Sequence, residues 1–363
     1  MESFLTGTLS PQALLSVRNL SVGIRKGRQL LSSVEDISFD IYPGEILGIV
    51  GESGSGKSLT ALSIAGLLGS EGSFGANKEV TGGSILFRDT RGTDTRDITH
   101  DITRDSSGGS GGTKSVRDLL SLSERELQCI RGKEISFVFQ EPFSSLNPLV
   151  KIGAQIAETL ELHGEKDKAL VKGRVRELME KLGLPHPAKL AETYPHRLSG
   201  GMCQRVMIAL AVICRPRLLI ADEPTTALDF NTQNQILALM KEINRDLGTS
   251  ILFISHDLEV IKNLCNRVLI MYSGRILEEG GVEEIFSRPA HEYTRGLLAS
   301  IPARANKGKP LASIPGKVPS LEDGRPSGCP FHPRCGKAKP DCKGEFPPER
   351  TVSGTHKTHC VIT

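Results

Sequence analysis

The sequence predicts an α/β fold with a mostly parallel core sheet, an antiparallel β subdomain, an inserted helical subdomain and a small Cys-containing C-terminal module. Three observations predict it. Short apolar, β-rich runs recur between helical patterns, which implies a parallel sheet covered by helices. A long helical stretch interrupts that alternation after residue 140, and beyond about Ser300 the texture changes to Pro, Gly and Lys.

In chain order, Leu14 to Leu20 and Val34 to Ile41 read as antiparallel strands, and Ile46 to Val50 as a buried strand leading into a helix over Leu59 to Leu68. Arg88 to Thr113 is rich in Thr, Asp and Arg, then Gly and Ser, and reads as a flexible surface insertion. Ile135 to Phe139 is the next strand, and residues 141–215 form the helical subdomain. Leu218 to Ala221 and Ile251 to Ile254 are buried strands, and Arg267 to Leu277 is a hairpin turning at Ser273-Gly274. The expected division is a domain over 12–300 and a module over 301–363.

Size and charge narrow the function. The chain has 363 residues, 38% of them hydrophobic, enough to bury a full core. The longest apolar run, Val206 to Cys214, has nine residues, short of the roughly 18 a membrane span needs. The start, MESFLTGTLSPQ, has neither a basic beginning nor an apolar stretch, so no secretory signal is expected and the location is cytoplasmic. Net charge is +3, which argues against a general nucleic-acid binder. From Arg304 onward there are eleven Lys or Arg against five Asp or Glu, a surplus of +6 that leaves −3 for the rest.

The chemistry begins at Gly51-Glu-Ser-Gly-Ser-Gly-Lys57-Ser58, which fits G-x-x-x-x-G-K-[ST] between a strand and a helix. Such a P-loop turns the backbone N–H groups of Ser53, Gly54, Ser55, Gly56 and Leu59 toward phosphate oxygens. Lys57 offsets the β/γ charge and Ser58 offers its hydroxyl to Mg²⁺. Asp222-Glu223 ends the apolar strand Leu218 to Ala221. Alone, such a pair is compatible with a strand end meeting solvent. Beside a phosphate loop, Asp222 becomes the Mg²⁺ partner and Glu223 the group that orients or deprotonates the attacking water.

These residues, with Leu198-Ser-Gly-Gly-Met202 followed by Cys203-Gln-Arg205, resemble the ABC ATPases, a P-loop NTPase family. Ser199, Gly200, Gly201 and Met202 look like that family's signature sequence. The resemblance implies that they close on ATP held by a second ATPase subunit, identical or homologous. It assigns Gln140 to the loop that touches Mg²⁺ and water, Asp229 of Ala227-Leu228-Asp229 to the loop facing the partner, and His256 to the switch at the γ-phosphate. Glu223, His256 and Gln140 are thus the catalytic set, and Ser58, Gln140 and Asp222 the Mg²⁺ set. Where the family places an aromatic under adenine, this chain offers only Val22, Ile24 and Leu30, and Ile24 is the expected contact.

Phe139-Gln-Glu-Pro-Phe-Ser-Ser-Leu-Asn-Pro148, Tyr194 to Met202 and Gly328-Cys-Pro-Phe-His-Pro-Arg-Cys335 resemble the dipeptide, oligopeptide and nickel importer branch. That likeness implies a peripheral motor on the cytoplasmic face of the inner membrane. Its implied partners are two integral-membrane permeases, a second ATPase and, indirectly, an extracytoplasmic solute-binding protein. Di- or oligopeptides are the expected cargo, with nickel, glutathione or another small solute, or a non-transport ABC ATPase, as alternatives. Only about 140 residues, without heptads, separate Lys57 from Ser199, unlike the coiled-coil ABC ATPases of DNA repair. Cys329, Cys335, Cys342 and Cys360 follow C-x5-C-x6-C-x17-C. Such looser spacing suits a [4Fe–4S] cluster, tighter pairs suit zinc, and an empty cluster of thiols is the third alternative.

Overall fold

The computed structural model describes residues 9–10, 12–68, 77–88, 116–226, 228–301, 313–322 and 324–362. The insertion expected at 88–113 lies outside them from residue 89 on, as does Ala227.

The chain opens with β1 (Leu15–Lys26), β2 (Gln29–Ile41) and β3 (Ile46–Val50), followed by α1 (Lys57–Ile64), β4 (Lys78–Arg88), β5 (Val116–Asp118), α2 (Glu124–Ile130) and β6 (Ile135–Val138). Then come α3 (Pro142–Ser145), α4 (Ile152–Leu162), α5 (Lys168–Lys181), α6 (Pro187–Leu190) and α7 (Gly200–Val212). Strands and helices alternate again through β7 (Leu218–Asp222), α8 (Phe230–Leu247), β8 (Ser250–Ser255), α9 (Leu258–Leu264), β9 (Arg267–Tyr272) and β10 (Arg275–Gly281). The remaining elements are α10 (Val282–Ser287), α11 (Glu292–Ala299), β11 (Arg350–Ser353) and β12 (His356–Thr358).

Two sheets result. The smaller has the order β2-β1-β4-β5 and is antiparallel throughout. The larger has the order β11-β12-β10-β9-β3-β8-β7-β6, with parallel pairing from β9 to β6. Strand β3 explains the arrangement: all five residues are buried, so it reads as an unbroken apolar run. Ile46 and Val50 pack into a core with the helices α4, α5, α7 and α8. Their neighbours Leu47 and Ile49 face a second core, against α1 and the antiparallel sheet. Neighbouring side chains thus tie the two halves of the molecule together through one strand.

The C-terminal segment is fastened to the same sheet. Strand β12 pairs antiparallel with β10, and β11 with β12. Glu278 of β10, fully buried, accepts from Ala290 N at 2.5 Å, His291 N at 3.0 Å and the Thr294 hydroxyl, and pairs with His356 Nε2 at 2.7 Å. A buried carboxylate is tolerable only with such partners.

Candidate functional site

The phosphate loop leaves the C-terminal end of β3 and enters α1 at Gly56, whose φ of +98° is open to glycine at little steric cost. Gly51 is fixed for another reason: a Cβ there would lie 2.0 Å from the Met271 carbonyl oxygen. Lys57 Nζ folds back to donate to the carbonyls of Gly51 at 2.8 Å and Glu52 at 3.1 Å. Ser53, Gly54, Ser55, Gly56, Lys57, Ser58 and Leu59 line a cleft of about 570 Å³, together with Ile24, Gln140 and Glu223. That volume suits a nucleotide-sized ligand, since ligand clefts run roughly 300–1,000 Å³. Val22 is buried in the antiparallel-sheet core and Leu30 does not line the cleft, so Ile24 alone of the three reaches it.

Glu223 is where three strands deliver their side chains. Gln140, two residues beyond β6, donates from Nε2 to Glu223 Oε2 at 3.3 Å. Thr226 donates to the same oxygen at 3.0 Å, and His256 Nδ1, just beyond β8, lies 3.1 Å from it. Glu223 holds a positive φ of +47°, a conformation seldom adopted by residues other than glycine, while its N–H donates to the Ile254 carbonyl at 3.0 Å. Sequence reasoning missed Thr226, although its place three residues after Glu223 was open to view.

Asp222 lies deeper. It is buried and hydrogen-bonded to Ser58, yet its Oδ1 has no partner. Burial pushes its pKa above the usual carboxylate value, with the Glu223 charge adding to the rise. Burial likewise lowers the Lys57 pKa, although Glu223, Asp222 and Glu52 oppose that shift. An orphaned carboxylate oxygen beside a serine hydroxyl and under a phosphate loop fits an oxygen-ligated Mg²⁺, so Asp222 and Ser58 fit the ion expected of them, while Gln140 lines the same cleft.

The signature residues stand apart. Ser199, Gly200, Gly201 and Met202 do not line the phosphate cleft. Helix α7 starts at Gly200 rather than near Val206, because Ser199 caps it by accepting from Met202 N at 3.3 Å. Asp229 caps α8 and accepts from Thr232 Oγ1 at 2.6 Å. Thr232 in turn sits against Gly201, where a Cβ would lie 2.7 Å from its methyl group. Asp229 and the signature therefore share one surface, on which Phe230 is 76% exposed.

The tail cysteines Cys329, Cys335, Cys342 and Cys360 line one small cavity with His291, His332 and His359, and all are free thiols. Burial pushes the Cys329 thiol up to about 12 and His291 down to about 3. Among the described residues no group of three or more His, Cys, Asp or Glu is drawn together as a metal site. No helix among them is long and apolar enough to cross a membrane.

Residues 34–226 match the family described as ABC transporter, and residues 277–342 match the oligopeptide/dipeptide transporter C-terminal region. The chain belongs to the ABC transporter family. This ATPase is 41% identical over 359 residues to a putative peptide import ATP-binding protein of Brucella ovis, covering 97% of this chain and 98% of the relative. It is 40% identical to the oligopeptide transport ATP-binding protein OppD of Salmonella typhimurium, covering 96% and 95% of the two chains. It is 41% identical to the oligopeptide transport ATP-binding protein AppD of Bacillus subtilis, covering 96% of each. Its fold is similar to a dimeric ATP-binding cassette in a post-hydrolysis state bound to ADP and Pi, with a TM-score of 0.58, 25% identity, and coverage of 74% of this chain and 98% of that one.

Proposed function

We propose that this ATPase is the motor of a peptide importer, hydrolysing ATP in a dimer docked beneath membrane permeases. The convergence of Gln140, Thr226 and His256 on Glu223 beside the phosphate loop carries the reading. The names of the relatives and the matched C-terminal region support peptides as the cargo class.

In this reading the loop backbone and Lys57 bind the triphosphate, and Ser58, Asp222 and Gln140 hold Mg²⁺, which when bound offsets charge on the β/γ oxygens. Glu223 accepts a hydrogen bond from the attacking water and draws its proton. Gln140 and Thr226 fix the carboxylate, while His256 holds it in place and faces the γ-phosphate. Ser199, Gly200, Gly201 and Met202 cover ATP bound by the other subunit, with Asp229 at the joint. Support comes from their position outside this chain's own cleft and from the exposed Phe230 beside them.

Docking to the permeases falls on the segment after Gln140, where Phe143 is 54% and Leu149 85% exposed. Apolar side chains so exposed on neighbouring turns favour a partner surface. The position is peripheral, on the cytoplasmic face of the inner membrane, with a solute-binding protein on the far side.

Glu223→Gln tests the chemistry. It is expected to keep Mg-ATP binding while cutting turnover by ~10² or more, and unchanged turnover would remove Glu223 from its role. For the tail, we propose the four cysteines as ligands of a [4Fe–4S] cluster, supported by the common cavity they line. Anaerobically purified protein is expected to contain iron and absorb near ~400 nm. Colourless protein with one zinc per chain would favour a zinc site instead, and metal-free protein with intact thiols would overturn both.

A further inference from the structure

The cleft has a wall that none of the nucleotide-binding motifs supplies. Its apolar lining comes from Ile24 and Leu59 of the ATPase core and from Val318, Pro319 and Leu321 of the C-terminal segment. Among the described residues no aromatic side chain lines it. The loop backbone and Lys57 recognise phosphate, so whatever lies beyond the phosphates meets a surface made mostly by residues some 260 positions further along the chain than the loop.

That surface is fastened at several points. Glu322 forms an ion pair with Lys26, at the end of the strand that carries Ile24. Arg325, 13% exposed, pairs with Glu35 and donates to the carbonyl of Ser273 at 2.6 Å. Arg334, 7% exposed, pairs with Glu52 of the phosphate loop at 2.8 Å and donates to the Pro315 carbonyl at 2.9 Å. Two half-buried guanidiniums thus clip the segment down on both sides, and the ring of Pro319 restricts its backbone. A wall held in place before the ligand arrives costs little ordering entropy on binding.

We propose that Val318–Leu321 is the base-binding wall of the nucleotide site, giving the neutral purine ring of a nucleoside triphosphate an apolar seat with Ile24, with no aromatic among the described residues to stack on it. The proposal rests on the phosphate-loop reading, and the two are separable by ligand. Removing apolar contact from the base weakens ATP but leaves inorganic tripolyphosphate, which has no base, unaffected.

The full-length chain is titrated with Mg-ATP and with Mg-tripolyphosphate. The double variant Val318→Ser/Leu321→Ser is expected to bind ATP about tenfold more weakly and tripolyphosphate within about twofold of wild type. The natural chain contains no tryptophan, so Leu321→Trp supplies a single emitter. Saturating Mg-ATP is expected to shift its emission, and tripolyphosphate to leave it nearly unchanged. Wild-type ATP affinity in the double variant, or an emission from Leu321→Trp that ignores bound ATP, overturns the proposal while the phosphate site stands. Should the double variant not fold, the emission decides. Lys57→Ala is expected to lose both ligands, and retention of both would overturn the phosphate-loop reading and this wall with it.

Discussion

At the scale of single residues, the site stores unfavourable electrostatics that its ligands relieve. Asp222 is buried with one oxygen unpartnered, and Lys57 is buried beside it. The folded-state pKa of Asp222 lies above its unfolded value. Stability from this group is therefore complete below the unfolded carboxyl value, near 3.9, and is lost as pH rises through the folded value. Above that folded value the nucleotide-free protein carries the loss in full. Asp222→Asn removes the charge, and is expected to raise the melting temperature of nucleotide-free protein at pH 7 by roughly 1–3 °C while abolishing Mg²⁺-dependent turnover. A lower melting temperature would mean that the charge is already compensated. Most of this was legible: Lys57, Ser58, Asp222 and Glu223 stand in a short motif and at a strand end. The orphaned oxygen was not, because it follows from how strands distant in sequence align, whereas Thr226 stands only three residues from Glu223 and was overlooked.

At the scale of elements, strands buried on both faces were the easiest to read. Strands β3, β7 and β8 are apolar runs at the expected positions, with β7 and β8 extending to Asp222 and Ser255. The hairpin of β9 and β10 turns at Ser273-Gly274 as its sequence implies. Strand β4 escaped notice because Gly82-Gly83 breaks its alternation, and its positive φ at Gly83 marks an irregular register. Helix α7 begins six residues before the apolar stretch suggested, since Gly200 and Gly201 have low helix propensity and the Ser199 cap makes up for them. The pairing of β12 with β10 had no local signal at all, and it depends on the Glu278 anchor. Glu278→Gln exchanges an acceptor-only group for one carrying an amide that faces donors. It is expected to destabilise the fold by ~2–4 kcal/mol in chemical denaturation, with the cysteine cavity opening first. A cost below ~0.5 kcal/mol would show that the C-terminal hairpin is held by other contacts.

At the scale of the whole molecule, the separation of signature from cleft makes one chain an incomplete enzyme in the proposed mechanism. Lys57→Ala disables the cleft and leaves the signature. Ser199→Arg blocks the signature and leaves the cleft. Each variant alone is expected to be inactive, and an equimolar mixture to regain a measurable fraction of wild-type turnover. That recovery requires one intact composite site per mixed pair. No recovery from folded, dimerising variants would place both halves in the same chain. The assembly is concealed from a reading of this chain's contacts for a physical reason: in the proposed mechanism the ATP that the signature covers is held by another chain.

The join between β10 and β12 also bears on how the protein is made. Glu278 pairs with Thr358, eighty positions later. While the ribosome is still extending the chain, β10 has an open flank whose N–H and C=O groups face any other nascent polypeptide nearby. Chaperone demand is therefore expected to fall once residues 350–358 have emerged and sealed that flank.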